Sequence, residues 1–309
     1  MSGLIAISTG SFGRESDRPL ELLRQGGFDV RLNPHGRQLS PDESRGFLAG
    51  AVGLIAGTEK LGAELLRACA GLKVISRVGV GIDNVDLAAA AELGIAVRNT
   101  PDAHVDAVAE LTLAGLLAAL RQIPDCHAGI RGNTWHKPMG RLLRGKTVGL
   151  VGFGRVGRAF ARLLAPFACP LLAVDPLRDE AAAAAVGARY VELGELLAGS
   201  DVVSLHLPYA KAAHHLIGAA ELAAMREDAV LINASRGGLI DEDALAQHLR
   251  ARPRALAYLD CFEKEPYAGP LAGLSSCVMT AHIGSYAREA RERMESEAVA
   301  NLLQALGRA

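Results

Sequence analysis

The sequence predicts an α/β protein of two domains, each built on a doubly wound parallel sheet. Three observations predict it. At 309 residues the chain has room for two domains of roughly 150 residues each. Short apolar runs alternate with helix-like segments in two separate series, the pattern of parallel sheets covered on both faces. A glycine-rich turn joins the first strand of the second series to a helix.

The first series runs through the opening hundred residues. Strands are expected at 4–8, 29–32, 52–56, 73–76 and 95–97. Helices are expected near 18–25, over 62–70, and from the cap Asp86 to Leu93. A long helical pattern follows over 103–123, ended by Pro124. Its apolar residues run almost all round, so it should be buried on most sides. A loop-rich stretch then holds Trp135 and Pro138. The second series places strands at 147–151, 171–174, 189–191, 202–207, 230–233, 255–259 and 278–280. The alanine run 181–185 reads as plain helix, and a charged helix from about Ser285 to Leu306 closes the chain.

Composition narrows the function. Half the residues are apolar and 22% are charged, which suits a soluble, core-forming chain. The formal net charge of -1 leaves no broad electrostatic footprint for nucleic acid or an anionic membrane. Five scattered cysteines with no CxxC pair read as reduced thiols in a cytoplasmic protein; no metal site is expected. The opening Met1-Ser2-Gly3-Leu4-Ile5-Ala6 lacks the basic start of a secretory signal. The longest apolar stretch, 107–120, contains Glu110 and falls short of the ~20 residues that span a bilayer.

Thr147-Val148-Gly149-Leu150-Val151 reads as a buried strand and runs into Gly152-Phe153-Gly154-Arg155-Val156-Gly157. This is GxGxxG in the strand–turn–helix context that gives the motif its meaning. Gly152 permits the tight turn, Gly154 lets the backbone approach a pyrophosphate, and Gly157 lets the helix pack on the strand. The helix start offers N–H groups and a partial positive charge to phosphates. Asp175 ends the next strand, about twenty residues on, where a carboxylate binds the adenosine ribose hydroxyls. That carboxylate repels a 2′-phosphate, which favours NAD over NADP; Arg178 lies close by.

Three later segments follow strand ends, where open α/β sheets place their ligands. They are Asn233-Ala234-Ser235-Arg236-Gly237-Gly238, Asp260-Cys261-Phe262-Glu263-Lys264-Glu265-Pro266, and Thr280-Ala281-His282-Ile283-Gly284. An Arg, a Glu and a His there suit reduction of a 2-keto acid. The guanidinium fork would grip the carboxylate. The imidazole would give a proton in reduction and take one in oxidation, and a neighbouring carboxylate would favour its protonated form.

With those motifs in order, the chain resembles the D-isomer-specific 2-hydroxyacid dehydrogenases, the family of phosphoglycerate, glycerate and D-lactate dehydrogenases. Gly152 to Gly157, Ser204-Leu205-His206-Leu207-Pro208, Asn233 to Asp243, Asp260 to Pro266 and His282-Ile283-Gly284 fall in the family's order and spacing. The resemblance implies two Rossmann-like domains, with an NAD-binding domain (99–284) inserted into a discontinuous substrate domain (1–98 plus 285–309). It implies catalytic Arg236, Glu265 and His282, with Glu265 chosen over Glu263 because the family's glutamate directly precedes proline. It implies that Asp260 contacts the nicotinamide carboxamide, that Ala234 lies near that ring, and that His206 and Pro208 line the cofactor cleft. Arg77-Val78-Gly79-Val80-Gly81-Ile82-Asp83 resembles the substrate loop, whose N–H groups at Val78 and Gly79 would hold the substrate carboxylate, with Arg77 beside them. The helix 103–123 and the Trp135 loop resemble a homodimer interface.

The sequence departs from the family in places. Ala281 stands where the family usually has Pro before the histidine. Ala56-Gly57-Thr58-Glu59-Lys60 stands where many members carry an Arg-Ser pair, which weakens a claim to a phosphorylated substrate; Lys60 or Arg77 are the nearby cations. The chain stops soon after the closing helix, so the regulatory domain of some phosphoglycerate dehydrogenases is not expected. The expected function is hydride transfer between NAD(H) and a small 2-hydroxy or 2-keto acid. The alternatives are a NAD(H)-sensing binding module resembling the C-terminal binding protein corepressors, or oxidation of formate or phosphite.

Overall fold

The computed structural model describes residues 3–308. Residues 1, 2 and 309 lie outside the described residues, so the opening stretch read for a secretory signal is described only from Gly3, and the expected span 1–98 plus 285–309 only from 3 to 308. The backbone divides into two compact units, Met1–His104 with Ser285–Ala309, and Val105–Gly284.

The first unit alternates strand and helix: β1 (Leu4–Ile7), α1 (Arg18–Gln25), β2 (Asp29–Leu32), α2 (Pro41–Phe47), β3 (Ala51–Ala56), α3 (Ala63–Ala68), β4 (Val74–Arg77), α4 (Leu87–Glu92) and β5 (Ala96–Arg98). Its five strands are all parallel, in the order β2-β1-β3-β4-β5. That is the flavodoxin-like doubly wound order. Helix α2 was not expected, although its signal is in the sequence. Ser40 accepts from the Glu43 N–H while Glu43 accepts from the Ser40 N–H, a capping box, and Pro41 opens the first turn. The closing helix, Arg288–Ala305, packs on this sheet. Its Met294, Ala298, Val299 and Leu302 bury against Ile5, Ile7, Ile55 and Val74. Ser76 Oγ donates to its Ala298 carbonyl at 2.7 Å. The other sheet face buries Ala6, Leu54 and Ile75 against α3 and α4, so alternate residues of each strand serve opposite cores.

The second unit opens with α5 (Val105–Leu120) and α6 (Ile123–Arg131), where one helix over 103–123 was expected. The axis turns by 66° between them, at Gln122, whose φ is +52°. Pro124 therefore stands in the first turn of α6 rather than ending α5. At that position its missing N–H is no loss and its fixed φ suits the helix. Gly115 explains how α5 lies so close to the sheet: a Cβ there would sit 2.2 Å from the Tyr258 ring. Among the described residues no single helix is long and apolar enough to cross a membrane.

The rest of the unit is β6 (Val148–Val151), α7 (Arg155–Leu163), β7 (Leu171–Val174), α8 (Glu180–Val186), β8 (Ala188–Tyr190), α9 (Leu193–Gly199), β9 (Val202–Leu205), α10 (Ala219–Ala224), β10 (Val230–Asn233), α11 (Glu242–Ala251), β11 (Leu256–Leu259) and β12 (Cys277–Met279). All seven strands are parallel, in the order β12-β11-β10-β9-β6-β7-β8. The chain starts in the middle, builds outward through β7 and β8, then crosses to β9 and builds the other way. This is the Rossmann order with one added strand, and its switch point lies between β6 and β9. Leu150, Val202, Ile232 and Tyr258 face one core; Val203, Leu205, Leu231 and Leu259 face the other.

Candidate active site

The glycine-rich turn leaves β6 at the switch point. Gly152 has φ +95°, and a Cβ there would lie 2.6 Å from the His206 carbonyl oxygen, so both its conformation and its surroundings require glycine. A Cβ on Gly157 would lie 2.4 Å from the Gly152 carbonyl oxygen. Gly154 differs: a Cβ there meets nothing within 4 Å. Two glycines close the turn on itself and the third leaves its outer side open at the start of α7. Asp175, just past β7, faces this turn. Its Oδ2 accepts from the Phe153 N–H at 2.7 Å and its Oδ1 from the Leu177 N–H at 2.8 Å. Arg178 turns away to pair with Glu192 at 3.0 Å and lies over the Tyr190 ring. The turn and the acidic strand end fit a dinucleotide without a 2′-phosphate.

Not every residue of the motif faces that open side. The Phe153 ring is buried against Tyr190, and its N–H is engaged by Asp175. Phe153 is thus a core residue that fastens the turn to β7. Val156 packs partly into the same core, while Arg155 is exposed. His206 follows β9, half-buried against the Phe160 ring, with Nε2 2.9 Å from Ser204 Oγ. Burial pushes its pKa down to about 4, so the ring is neutral near pH 7. Pro208 is exposed.

Arg236, Glu265 and His282 leave the carboxyl ends of three adjacent strands, β10, β11 and β12. His282 Nδ1 lies 3.0 Å from both Glu265 carboxylate oxygens. Its Nε2 has no hydrogen-bond partner among the described residues. Glu265 also accepts from the Phe262 N–H at 3.0 Å. Burial pushes the Glu265 carboxyl up, but the hydrogen bond and charge of His282, the Phe262 N–H and the Arg236 guanidinium outweigh it. The net result is a pKa below the usual carboxylate range. Arg236 sits on a loop stiffened by Asn233, which accepts from Ser235 and donates to the Arg236 carbonyl at 2.7 Å. A Cβ on Gly237 would fall 1.9 Å from the Phe262 carbonyl oxygen, so the Arg236 and Glu265 loops touch backbone to backbone. Ala234 is buried at the strand end.

Asp260, expected at the nicotinamide carboxamide, stands just past β11. Its side chain is 0% exposed and its two oxygens accept from Thr280 Oγ1 at 2.5 Å, the Ile283 N–H at 2.9 Å and the Gly284 N–H at 2.7 Å. These contacts hold the loop on which His282 adopts φ +53°, a left-handed conformation uncommon outside glycine. Ala281, before this histidine, is exposed.

The first unit's loop after β4 carries Val78 and Gly79, expected at the substrate carboxylate. The Val78 N–H donates to the Ala56 carbonyl at 3.0 Å and the Gly79 N–H to Thr100 Oγ1 at 2.8 Å. Both are engaged, and Val78 is buried. The next two, Val80 and Gly81, have N–H groups with no acceptor among the described residues. The half-buried Arg77 folds its guanidinium back onto the Val78 carbonyl. After β3, Glu59 is buried and accepts from the Gly57 N–H and Ser8 Oγ, while Lys60 is exposed.

Comparison with known proteins agrees with this geometry. A family model described as "D-isomer specific 2-hydroxyacid dehydrogenase, NAD binding domain" matches residues 113–284. The glyoxylate reductase of Thermococcus litoralis is 41% identical over 256 residues, which is 80% of this chain and 77% of that protein. The D-3-phosphoglycerate dehydrogenase of Archaeoglobus fulgidus is 39% identical over 236 residues, 75% of this chain but only 45% of that protein, so the match spans about half of that relative. The crystal structure of Aquifex aeolicus D-lactate dehydrogenase with NAD and lactic acid superposes with TM-score 0.83 at 26% identity, covering 99% of this chain and 97% of that one. The chain belongs to the D-isomer specific 2-hydroxyacid dehydrogenase family and is an NAD-linked oxidoreductase.

Proposed function

We propose that the chain reduces a small, unphosphorylated 2-keto acid with NADH, and runs the reverse oxidation, with His282 as the acid/base. The observation that carries this reading is the Glu265–His282 pair. It engages Nδ1 and leaves Nε2 open, on strand ends next to the loop that bears Arg236. The nicotinamide, when bound, supplies or takes up the hydride. Arg236 grips the substrate carboxylate through its planar fork. His282 Nε2 gives its proton to the carbonyl oxygen in reduction and recovers it in oxidation. Glu265 stays ionised, orients the ring through Nδ1–H and stabilises the imidazolium. The open side at Gly154 receives the pyrophosphate, and Asp175 receives the adenosine ribose. In the first unit, Val80 and Gly81 rather than Val78 and Gly79 offer N–H groups to a carboxylate.

The segment 56–60, with its buried Glu59 carboxylate, stands where many members carry an Arg-Ser pair, which supports an unphosphorylated substrate of the glyoxylate or hydroxypyruvate kind. Five unpaired cysteines support a cytoplasmic location. A homodimer is supported by the apolar side chains that α6 and the following loop leave in solvent, with Trp135 80% and Met139 90% exposed. The small net charge supports neither nucleic acid nor membrane as a partner. The named relatives are reductases and dehydrogenases, which favours turnover over a sensing role.

The test is steady-state oxidation of NADH and of NADPH against glyoxylate, hydroxypyruvate, pyruvate and 3-phosphohydroxypyruvate, with formate and phosphite run against NAD+. The expected result is turnover of an unphosphorylated keto acid with NADH preferred. Tight NADH binding without turnover of any of them would replace this reading with the sensing module.

A further inference from the structure

We infer that His214, His215 and Glu263 form a site for one divalent cation of the Zn2+ class on the second unit. The two histidines follow β9 and the glutamate follows β11. One ligand atom from each lies within 4.8 Å of the other two. Glu263 Oε1 is 2.9 Å from His215 Nε2 and 3.8 Å from His214 Nδ1. Tetrahedral zinc with bonds of about 2.0–2.1 Å sets its ligands about 3.3 Å apart. Two of the three separations, 2.9 and 3.8 Å, bracket that spacing, and the third, between the two histidines, lies within 4.8 Å, so side-chain rotation closes the three donors on an ion.

The presentation of these groups is built into the backbone. His215 has φ +52°, a conformation that side chains with a Cβ rarely adopt. The adjacent rings are stacked, with centroids 3.9 Å apart and planes 25° apart, so both imidazoles turn to one side. The His215 N–H donates to the Gly238 carbonyl at 2.8 Å, and the Glu263 N–H to Glu242 Oε1 at 2.7 Å. Both main chains are therefore held whether or not an ion is bound. Behind His215, Asp241 Oδ2 lies 3.9 Å from Nδ1, the ring nitrogen on the side away from Glu263. At that distance it adds negative charge near a cation without hydrogen-bonding the ring.

Two imidazoles and one carboxylate favour Zn2+, Co2+ or Ni2+ over Mg2+ or Ca2+, which prefer all-oxygen shells. Three protein ligands leave a fourth position for water. All three side chains are partly exposed, so the ion enters from solvent. Bound there, it would tie the segment after β9 to the loop after β11. The cysteine spacing gives no hint of this site. The donors are 48 residues apart and only the parallel topology brings them together.

The test uses the full chain, stripped with EDTA and then titrated with ZnCl2 against a chromophoric chelator, with thermal unfolding measured in parallel. The expected result is one Zn2+ per chain and a melting temperature that climbs with Zn2+ and not with Mg2+. His215→Ala and Glu263→Gln should each weaken binding at least about tenfold. Unaltered Zn2+ affinity in His214→Ala, His215→Ala and Glu263→Gln would assign the binding to other donors, such as the cysteines, and overturn the site. So would equal responses to Zn2+ and Mg2+, or no saturable binding by the wild-type chain.

Discussion

Replacing Asp260 by Asn separates two roles that the residue could hold. In the structure its buried carboxylate accepts three hydrogen bonds, from Thr280 Oγ1 and from the N–H groups of Ile283 and Gly284. An amide of the same shape keeps one acceptor and turns an NH2 toward at least one of those donors. A hydrogen bond to a charged group contributes about 1.5–3 kcal/mol, and a buried N–H left without an acceptor costs about 1–3 kcal/mol. The expected loss is therefore about 2–4 kcal/mol, or roughly 5–15 °C in Tm for a unit of this size. The same change releases the loop that holds His282 at φ +53°. Displacing a reacting group by about 1 Å can cost about 100-fold in rate, so kcat should fall steeply while KM for NADH changes little. The assay is thermal unfolding beside steady-state kinetics with NADH as the varied substrate. An unchanged Tm with a raised KM for NADH would refute the loop-anchoring role and restore the nicotinamide contact.

Three further outcomes follow from the same geometry. Gly154→Ala and Gly157→Ala should part company: the first should leave Tm unchanged yet weaken NADH binding at least about tenfold, because only the cofactor side is open there. Gly157→Ala should destabilise the unit by about 1–3 kcal/mol, since its Cβ meets the Gly152 carbonyl; equal effects in both, read by unfolding and by fluorescence titration, would contradict this account of the turn. Glu265 has a carboxyl depressed in the folded state, so its stabilising contribution is present above about pH 4.3 and disappears as pH falls through the lower folded value. The Tm difference between wild type and Glu265→Gln should therefore persist from pH 8 to pH 5 and collapse only in stronger acid; a collapse near pH 6 would contradict it. His206, with its pKa pushed down to about 4, should show no imidazole titration by NMR between pH 5.5 and 8. Because the unfolded chain binds that proton at about pH 6.5, this histidine draws stability down as pH falls from there toward 4.

Most of the fold is legible in the sequence for a simple reason. Strands covered on both faces read as unbroken apolar runs, such as Val230-Leu231-Ile232-Asn233, and parallel topology puts their carboxyl ends side by side. The order of Gly152, Asp175, Arg236, Glu265 and His282 along the strands thus carries much of the site. What escapes is direction. Asp260 and Phe153 have the right type and position, yet their side chains point into the protein, and only the packing decides that. In the loop after β4, Thr100, far along the chain, takes the Gly79 N–H, which the local sequence does not reveal. Helix α2 was readable, since Ser40 and Glu43 stand at capping-box spacing just before an apolar stretch. Pro124 was read with the wrong sign: a proline can open a helix as well as close one.

The proton transfer turns on the open nitrogen of one imidazole, and His282→Ala tests it most directly. With the keto acid that turns over fastest, the variant should keep its NADH affinity and its Tm while kcat falls by about 10²–10⁴-fold. Turnover close to wild type, with NADH bound as before, would take the proton transfer away from His282.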